Sequence, residues 1–193
     1  MLMTPTFLTR QRLDRLINRL LEPLYNVGCV LRAFKLIQDF SGDEWRQLMD
    51  VNFMGAVYFT QEALRLMQPG GAIVNVSSIH AFQTTARVAP YAAAKAALNM
   101  AVKAYAQQVG SANVRVNAVA PGNVFFPGGS WARKFEDAGK KALFAEYIER
   151  EVALRRFATP REIADVVVFL ASTRASFVSG AIVAADGGQL RSV

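Results

Sequence analysis

Three short β-rich runs, at residues 72–76, 114–119 and 181–185, alternate with stretches long enough for helices of ten or more residues. This alternation constrains the fold more than any other feature of the chain. Each run is mostly apolar and is bounded by turn residues: Pro69-Gly70-Gly71 before the first, Pro121-Gly122 after the second, Asp186-Gly187-Gly188 after the third. A short continuous apolar run suits a strand covered on both faces, as in parallel sheets. The intervening segments carry helix signals. Ser41 reads as an N-cap, with Asp43 and Glu44 in the first turn of a long helix that ends before Pro69. A helix over 91–109 is opened by Pro90 and closed by Gly110, and a further helical stretch covers 141–154. Thr159-Pro160-Arg161-Glu162 is a capping box with Pro at the first helical position, starting a helix that runs to about residue 172. Strands alternating with such helices predict a parallel α/β sheet with helices on both faces.

Upstream of this region, Leu13, Leu16, Ile17, Leu20 and Leu21 fall at helical spacing within residues 8–21, with arginines on the other face. Pro23 closes that helix, and 24–32 reads as a short strand running into a loop. Asp14 and the lack of serine favour a packed helix over a mitochondrial transit segment. No repeat or low-complexity linker interrupts the chain, so residues 1–193 read as one domain.

Composition narrows the function. With 52% hydrophobic and 19% charged residues the chain has the material for a core, which excludes general disorder. The single cysteine, Cys29, excludes a disulfide framework and a cysteine zinc site, and the single histidine, His80, leaves no histidine-rich metal site. No run approaches the roughly 18 apolar residues of a membrane span. The expectation is a soluble, cytoplasmic protein without metal. The net charge of +7 (22 Lys+Arg against 15 Asp+Glu) is spread along the chain. Its densest group, Arg10, Arg12, Arg15 and Arg19, reads as a solvated helix face. Nucleic-acid binding ranks last, and would show as salt-dependent affinity.

Tyr91 and Lys95 stand four apart on the predicted 91–109 helix, so they project from one face about one turn apart. A lysine ammonium there favours phenolate over phenol and makes Tyr91 a general acid/base candidate near neutral pH. Ser78 sits just past the 72–76 strand, and ligands in open α/β sheets bind at such C-terminal strand ends. Asn52, with Gly55 three residues on, is locally unfavourable inside a helix and points to a kink or a function. His80 lines the substrate mouth or is an exposed, idle ring.

Taken in order, Val51-Asn52-x-x-Gly55, Ile73-Val74-Asn75-Val76-Ser77-Ser78, Tyr91-x-x-x-Lys95, Val114-Arg115-Val116-Asn117-x-Val119-x-Pro121-Gly122, and Thr159-Pro160-x-Glu162-Ile163-Ala164 through Asp186-Gly187-Gly188 resemble the short-chain dehydrogenase/reductase family. The resemblance covers about residues 36–190 and is similar to its classical branch, near the 3-oxoacyl-carrier-protein reductases. It implies a partial Rossmann-like, doubly wound parallel sheet with helices on both faces and the first strands missing. Residues 1–35 would then be a divergent N-terminal helix and strand, and 36–193 the catalytic part. The resemblance further implies NAD(P)-dependent interconversion of a carbonyl and a secondary alcohol. Tyr91 would exchange a proton with the substrate oxygen, and Lys95 would lower its pKa while binding the nicotinamide ribose. Ser78 would orient the reacting oxygen, and Asn52 would hold a water linking Lys95 to solvent. Pro121, Gly122 and Val124 would border the nicotinamide of NAD or NADP. Implied partners are a small-molecule carbonyl or alcohol substrate and further copies of the chain in a dimer or tetramer, with no membrane.

The sequence departs from the family pattern in one large respect. The phosphate-cradling Thr-Gly-x-x-x-Gly-x-Gly occurs nowhere in the 193 residues. Asn26-Val27-Gly28 matches what would remain of the family's Asn-Asn-Ala-Gly segment, which makes Asn26 and Gly28 cofactor-side candidates. Ala81 stands where glycine is usual and Phe126 where a threonine often bonds the carboxamide. The expectation is a chain without the first two βα units. The alternative to an active oxidoreductase is a truncated, inactive member serving as a subunit or binding partner.

Overall fold

The computed structural model describes residues 35–191, apart from 130, 133, 134, 136–138 and 140. The expected 8–21 helix and 24–32 strand, with Asn26, Gly28 and Cys29, lie outside the described residues.

Three strands, β1 (Ala72–Val76), β2 (Arg115–Pro121) and β3 (Ile182–Ala185), pair in parallel in the order β1-β2-β3. Ile73 lies opposite Val116 and Val76 opposite Val119, while Ala118 faces Ile182 and Val119 faces Val183 across the other edge. Because side chains alternate along a strand, this register sorts them into two layers. Ile73, Val116, Ala118 and Ile182 face one helix layer, in which Leu98 and Val102 are buried. Val74, Val119, Val183 and Ala185 face the other, where Leu170, Ile163, Val166 and Val167 pack. The sheet is therefore parallel with helices on both faces.

The helices are α1 (Gly42–Met49), α2 (Gly55–Leu66), α3 (Ala89–Val109), α4 (Lys141–Glu151) and α5 (Pro160–Ala171). The expected capping box of Thr159 with Glu162 forms, and the expected N-cap Ser41 also closes a capping box, with Glu44. Pro90 falls in the first turn of α3, where a fixed φ and a missing N–H cost nothing. The 141–154 helix stops early, at Glu151. The chain turns there, with Arg155 at φ 56° and the Leu154 N–H donating to the Gly187 carbonyl at 3.0 Å.

The long helix expected from Ser41 is interrupted. Asp50–Met54 forms a π-helical turn, with the Gly55 N–H reaching back five residues to the Asp50 carbonyl. This wide turn packs against α3. Among the described residues no helix is long and apolar enough to cross a membrane.

Candidate active site

After Val76 the chain stays extended for two residues. The Ser77 N–H donates to the Val119 carbonyl at 2.7 Å, one further rung of the β1–β2 ladder. Ser78 then caps a single 3-10 turn, Ile79–Ala81, its Oγ accepting from the His80 N–H at 3.2 Å. That bond uses a lone pair and leaves the hydroxyl proton to donate elsewhere. Ser77, Ser78 and Ile79 are all buried.

Facing this turn is the N-terminal half of α3. Tyr91 is buried, and the His80 ring meets it edge-on with centroids 6.1 Å apart. Lys95, one turn along, places Nζ 5.9 Å from the centre of the Tyr91 ring and donates to the Val76 carbonyl at 3.0 Å. The ammonium thus lies between the phenol-bearing helix and the end of β1. One turn further, Asn99 is buried and its Oδ1 accepts from the Ser77 hydroxyl at 2.6 Å.

His80 is half-buried rather than exposed, because the 3-10 turn folds it back onto Tyr91. Burial pushes its pKa below the ordinary 6.5, against a smaller opposing pull from a backbone hydrogen bond with Gln83. Its Nδ1 is buried with no partner among the described residues.

Asn52 sits in the π-helical turn and is buried. Its Nδ2 donates to the Leu48 carbonyl at 3.0 Å, while its Oδ1 is buried without a partner among the described residues. The awkward Asn-x-x-Gly spacing therefore marks a real deviation of the helix.

At the end of β2, Gly122 donates its N–H to the Ala185 carbonyl at 3.1 Å. A Cβ here would stand 2.8 Å from the Asp186 Cα and 3.0 Å from the Gln189 Oε1, so only glycine lets β2 and the chain after β3 approach so closely. Val124 forms an isolated parallel bridge with Ala158. Between them Asn123 anchors a cluster that sequence reasoning missed. Its Oδ1 accepts from the Trp131 Nε1 at 3.1 Å, and its Nδ2 donates to the Gln189 Oε1 at 3.0 Å and the Tyr147 hydroxyl at 3.2 Å. The aromatic density of Trp131, Phe135, Phe144, Tyr147 and Phe157 is the one sequence signal that could have found it.

The structure thus brings Ser78, Tyr91 and Lys95 together around the end of β1, with the Asn52 turn packed behind them on α3 and Pro121, Gly122 and Val124 following the next strand. Over residues 15–189 the chain matches the sequence model of the family described as Enoyl-(Acyl carrier protein) reductase. The chain belongs to the short-chain dehydrogenase/reductase family. Among short-chain dehydrogenases/reductases, it is 36% identical over 179 residues to an uncharacterized protein of this type from Sinorhizobium fredii, covering 93% of this chain and 32% of that one. It is 32% identical to a 3-oxoacyl-[acyl-carrier-protein] reductase of Aquifex aeolicus, covering 89% of this chain and 71% of the relative. The L-sorbose reductase of Gluconobacter frateurii, solved with NADPH and L-sorbose, superposes with a TM-score of 0.76 at 31% identity, covering 82% of this chain and 63% of the other. The chain therefore spans from about a third to about seven-tenths of the length of these relatives.

Among the described residues, those at the end of β1 fit the nicotinamide half of a dinucleotide. Lys95 Nζ beside Tyr91, at the C-terminal end of a parallel strand, is a donor set suited to a nicotinamide ribose. For the pyrophosphate, β1 is followed by a three-residue 3-10 turn rather than by a glycine-rich helix N-terminus. Among the described residues no group of His, Cys, Asp and Glu side chains could hold a metal ion.

Proposed function

We propose that this chain is an NAD(P)-dependent oxidoreductase that interconverts a small-molecule carbonyl and a secondary alcohol, with Tyr91 as general acid/base. The observation that carries the reading is the contact of Lys95 with both partners: Nζ within 5.9 Å of the Tyr91 ring centre and 3.0 Å from the carbonyl of Val76, two residues before Ser78. In the reducing direction Tyr91 gives its proton to the substrate oxygen while the Ser78 hydroxyl donates a hydrogen bond to the same oxygen. The Lys95 charge favours the phenolate that remains. Asn52, whose buried Oδ1 has no partner among the described residues, holds a water through which Lys95 exchanges protons with solvent. Lys95 and Tyr91 hold the nicotinamide ribose, and Pro121, Gly122 and Val124 border the ring. Asn26 and Gly28 are assigned to the cofactor side by sequence alone. NAD or NADP, when bound, supplies or accepts the hydride at the substrate carbon. Tyr91→Phe tests the assignment: turnover of a cyclic or open-chain ketone should fall by about 10²–10⁴-fold while the unfolding midpoint stays put, and undiminished turnover overturns the role.

In this reading residues 1–193 act as one domain in the cytoplasm, and copies of the chain assemble as a dimer or tetramer. Apolar side chains left exposed on α2 and α3 (Tyr58, Phe59, Leu66, Met100) and on and after α5 (Val168, Phe169, Phe177) support assembly. Sedimentation of a stable monomer would argue against it. The lack of a glycine-rich phosphate loop within the 193 residues favours a second reading, a non-catalytic subunit of this family. Titration calorimetry with NADH and NADPH separates the two, since only the first requires measurable affinity.

A further inference from the structure

Two buried side chains, neither of them in the set assigned to proton transfer, join the strand end to the helix. The Ser77 hydroxyl donates to Asn99 Oδ1 at 2.6 Å across 22 residues of sequence, and both residues are less than a tenth exposed. On α3, Tyr91, Lys95 and Asn99 follow at intervals of four, so the three side chains lie along one stripe of the helix. On the sheet side, Ser77 directly precedes Ser78 and is fixed to β2 through its own N–H. The bond therefore ties the base of the Ser78 turn to the same stripe that bears Tyr91 and Lys95.

We propose that Ser77 and Asn99 form a positioning clasp that holds the Ser78–Ala81 turn in register with Tyr91 and Lys95. The catalytic importance of this register rests on the function proposed above. Lys95 also touches β1, through the Val76 carbonyl. A lysine drawn toward substrate or cofactor gives up that contact, whereas the clasp holds the strand end independently of what Lys95 does. The geometry also favours a tight tie. A hydrogen bond between two buried neutral groups is undiminished by water, and removing either partner leaves the other unsatisfied.

Amide hydrogen exchange of the full chain tests the clasp without reference to turnover. The reporters are the His80 and Ala81 N–H groups, which donate to Ser78 Oγ and to the Ser78 carbonyl. Ser77→Ala and Asn99→Leu should each speed exchange at both sites by about tenfold, the double variant no more than either single one, and Ser77→Thr should restore protection. Val102→Ala, which loosens α3 without touching the clasp, should leave the ratio of His80 to Val119 exchange unchanged. In an active preparation the two single variants should lower kcat by about tenfold with little change in KM. Unchanged exchange at His80 and Ala81 overturns the clasp. Faster exchange with unchanged kcat in an active enzyme overturns its positioning role. A parent chain without turnover overturns the function proposed above and leaves the exchange comparison to decide the clasp.

Discussion

Strand β2 has a hydrogen-bonded neighbour on each side, whereas β1 has one among the described residues, and their polar side chains behave differently. The polar side chains of β2, Arg115 and Asn117, are buried and bonded to backbone. Arg115 donates from Nη1 to the Leu170 and Val178 carbonyls and from Nη2 to those of Ala171 and Ser172, closing the C-terminal end of α5 with a positive charge. Asn117 donates to the Val178 carbonyl at 2.8 Å and accepts from the Ala181 N–H at 3.0 Å. At and around the end of β1, by contrast, polar atoms are buried and unspent: Asn75 Nδ2, Asn52 Oδ1 and His80 Nδ1 have no partner among the described residues. A polar group that cements a fold uses its bonding capacity on the protein; one that serves chemistry keeps some in reserve.

Substitutions on the two sides should separate activity from stability. The largest effect belongs to the β1 side, where Tyr91→Phe should cost about 10²–10⁴-fold in kcat, the usual range for a general acid/base, with no matching loss in urea stability. On the β2 side Arg115→Met should cost about 3 kcal/mol of stability in urea titrations, because the carbonyls at the end of α5 lose a charged donor. Residual activity per folded molecule should be unchanged. Gly122→Ala stands where the two regions meet. Its Cβ forces the Asp186 backbone away, at about 2 kcal/mol, and any shift in cofactor affinity beyond that loss would draw the end of β2 into the site. The smallest effect is His80's dependence on pH. Folding holds its pKa below 6.5, so just under that value the unfolded chain binds more protons than the folded one. Stability is therefore fully present above pH 6.5 and declines as pH falls below it. Urea midpoints at about pH 5 and about pH 7.5 should show a slope that His80→Phe reduces.

What was legible in the sequence follows the same division. Local signals read correctly: the N-cap at Ser41, the capping box at Thr159, the strand at 72–76, the Tyr91/Lys95 helix face and the disturbance at Asn52 each depend on residues a few positions apart. Interactions between distant residues were invisible. The Ser77–Asn99 bond spans 22 residues, the Arg115 contacts 55 to 63, and the Asn123–Gln189 bond 66. No periodicity encodes such pairings, because they form only once β1, β2 and β3 are in register. Strand ends also moved. The second strand runs to Pro121 rather than 119, since its last residues pair with β3, a partner that propensity cannot see.

The π-helical turn at Asp50–Met54 has a consequence for how this segment can change. A wide turn accommodates one residue more than an α-helical path would. Deleting a single residue there would restore a regular helix and leave α1 and α2 presenting the same faces, because the wide turn absorbs the extra residue without shifting the helix on either side. What the deletion removes is the widened stretch of backbone that carries Asn52, so Asn52 would leave its buried place while the flanking packing stayed. A relative lacking one residue between Asp50 and Gly55 would thus have lost this arrangement in a single step and kept its helices.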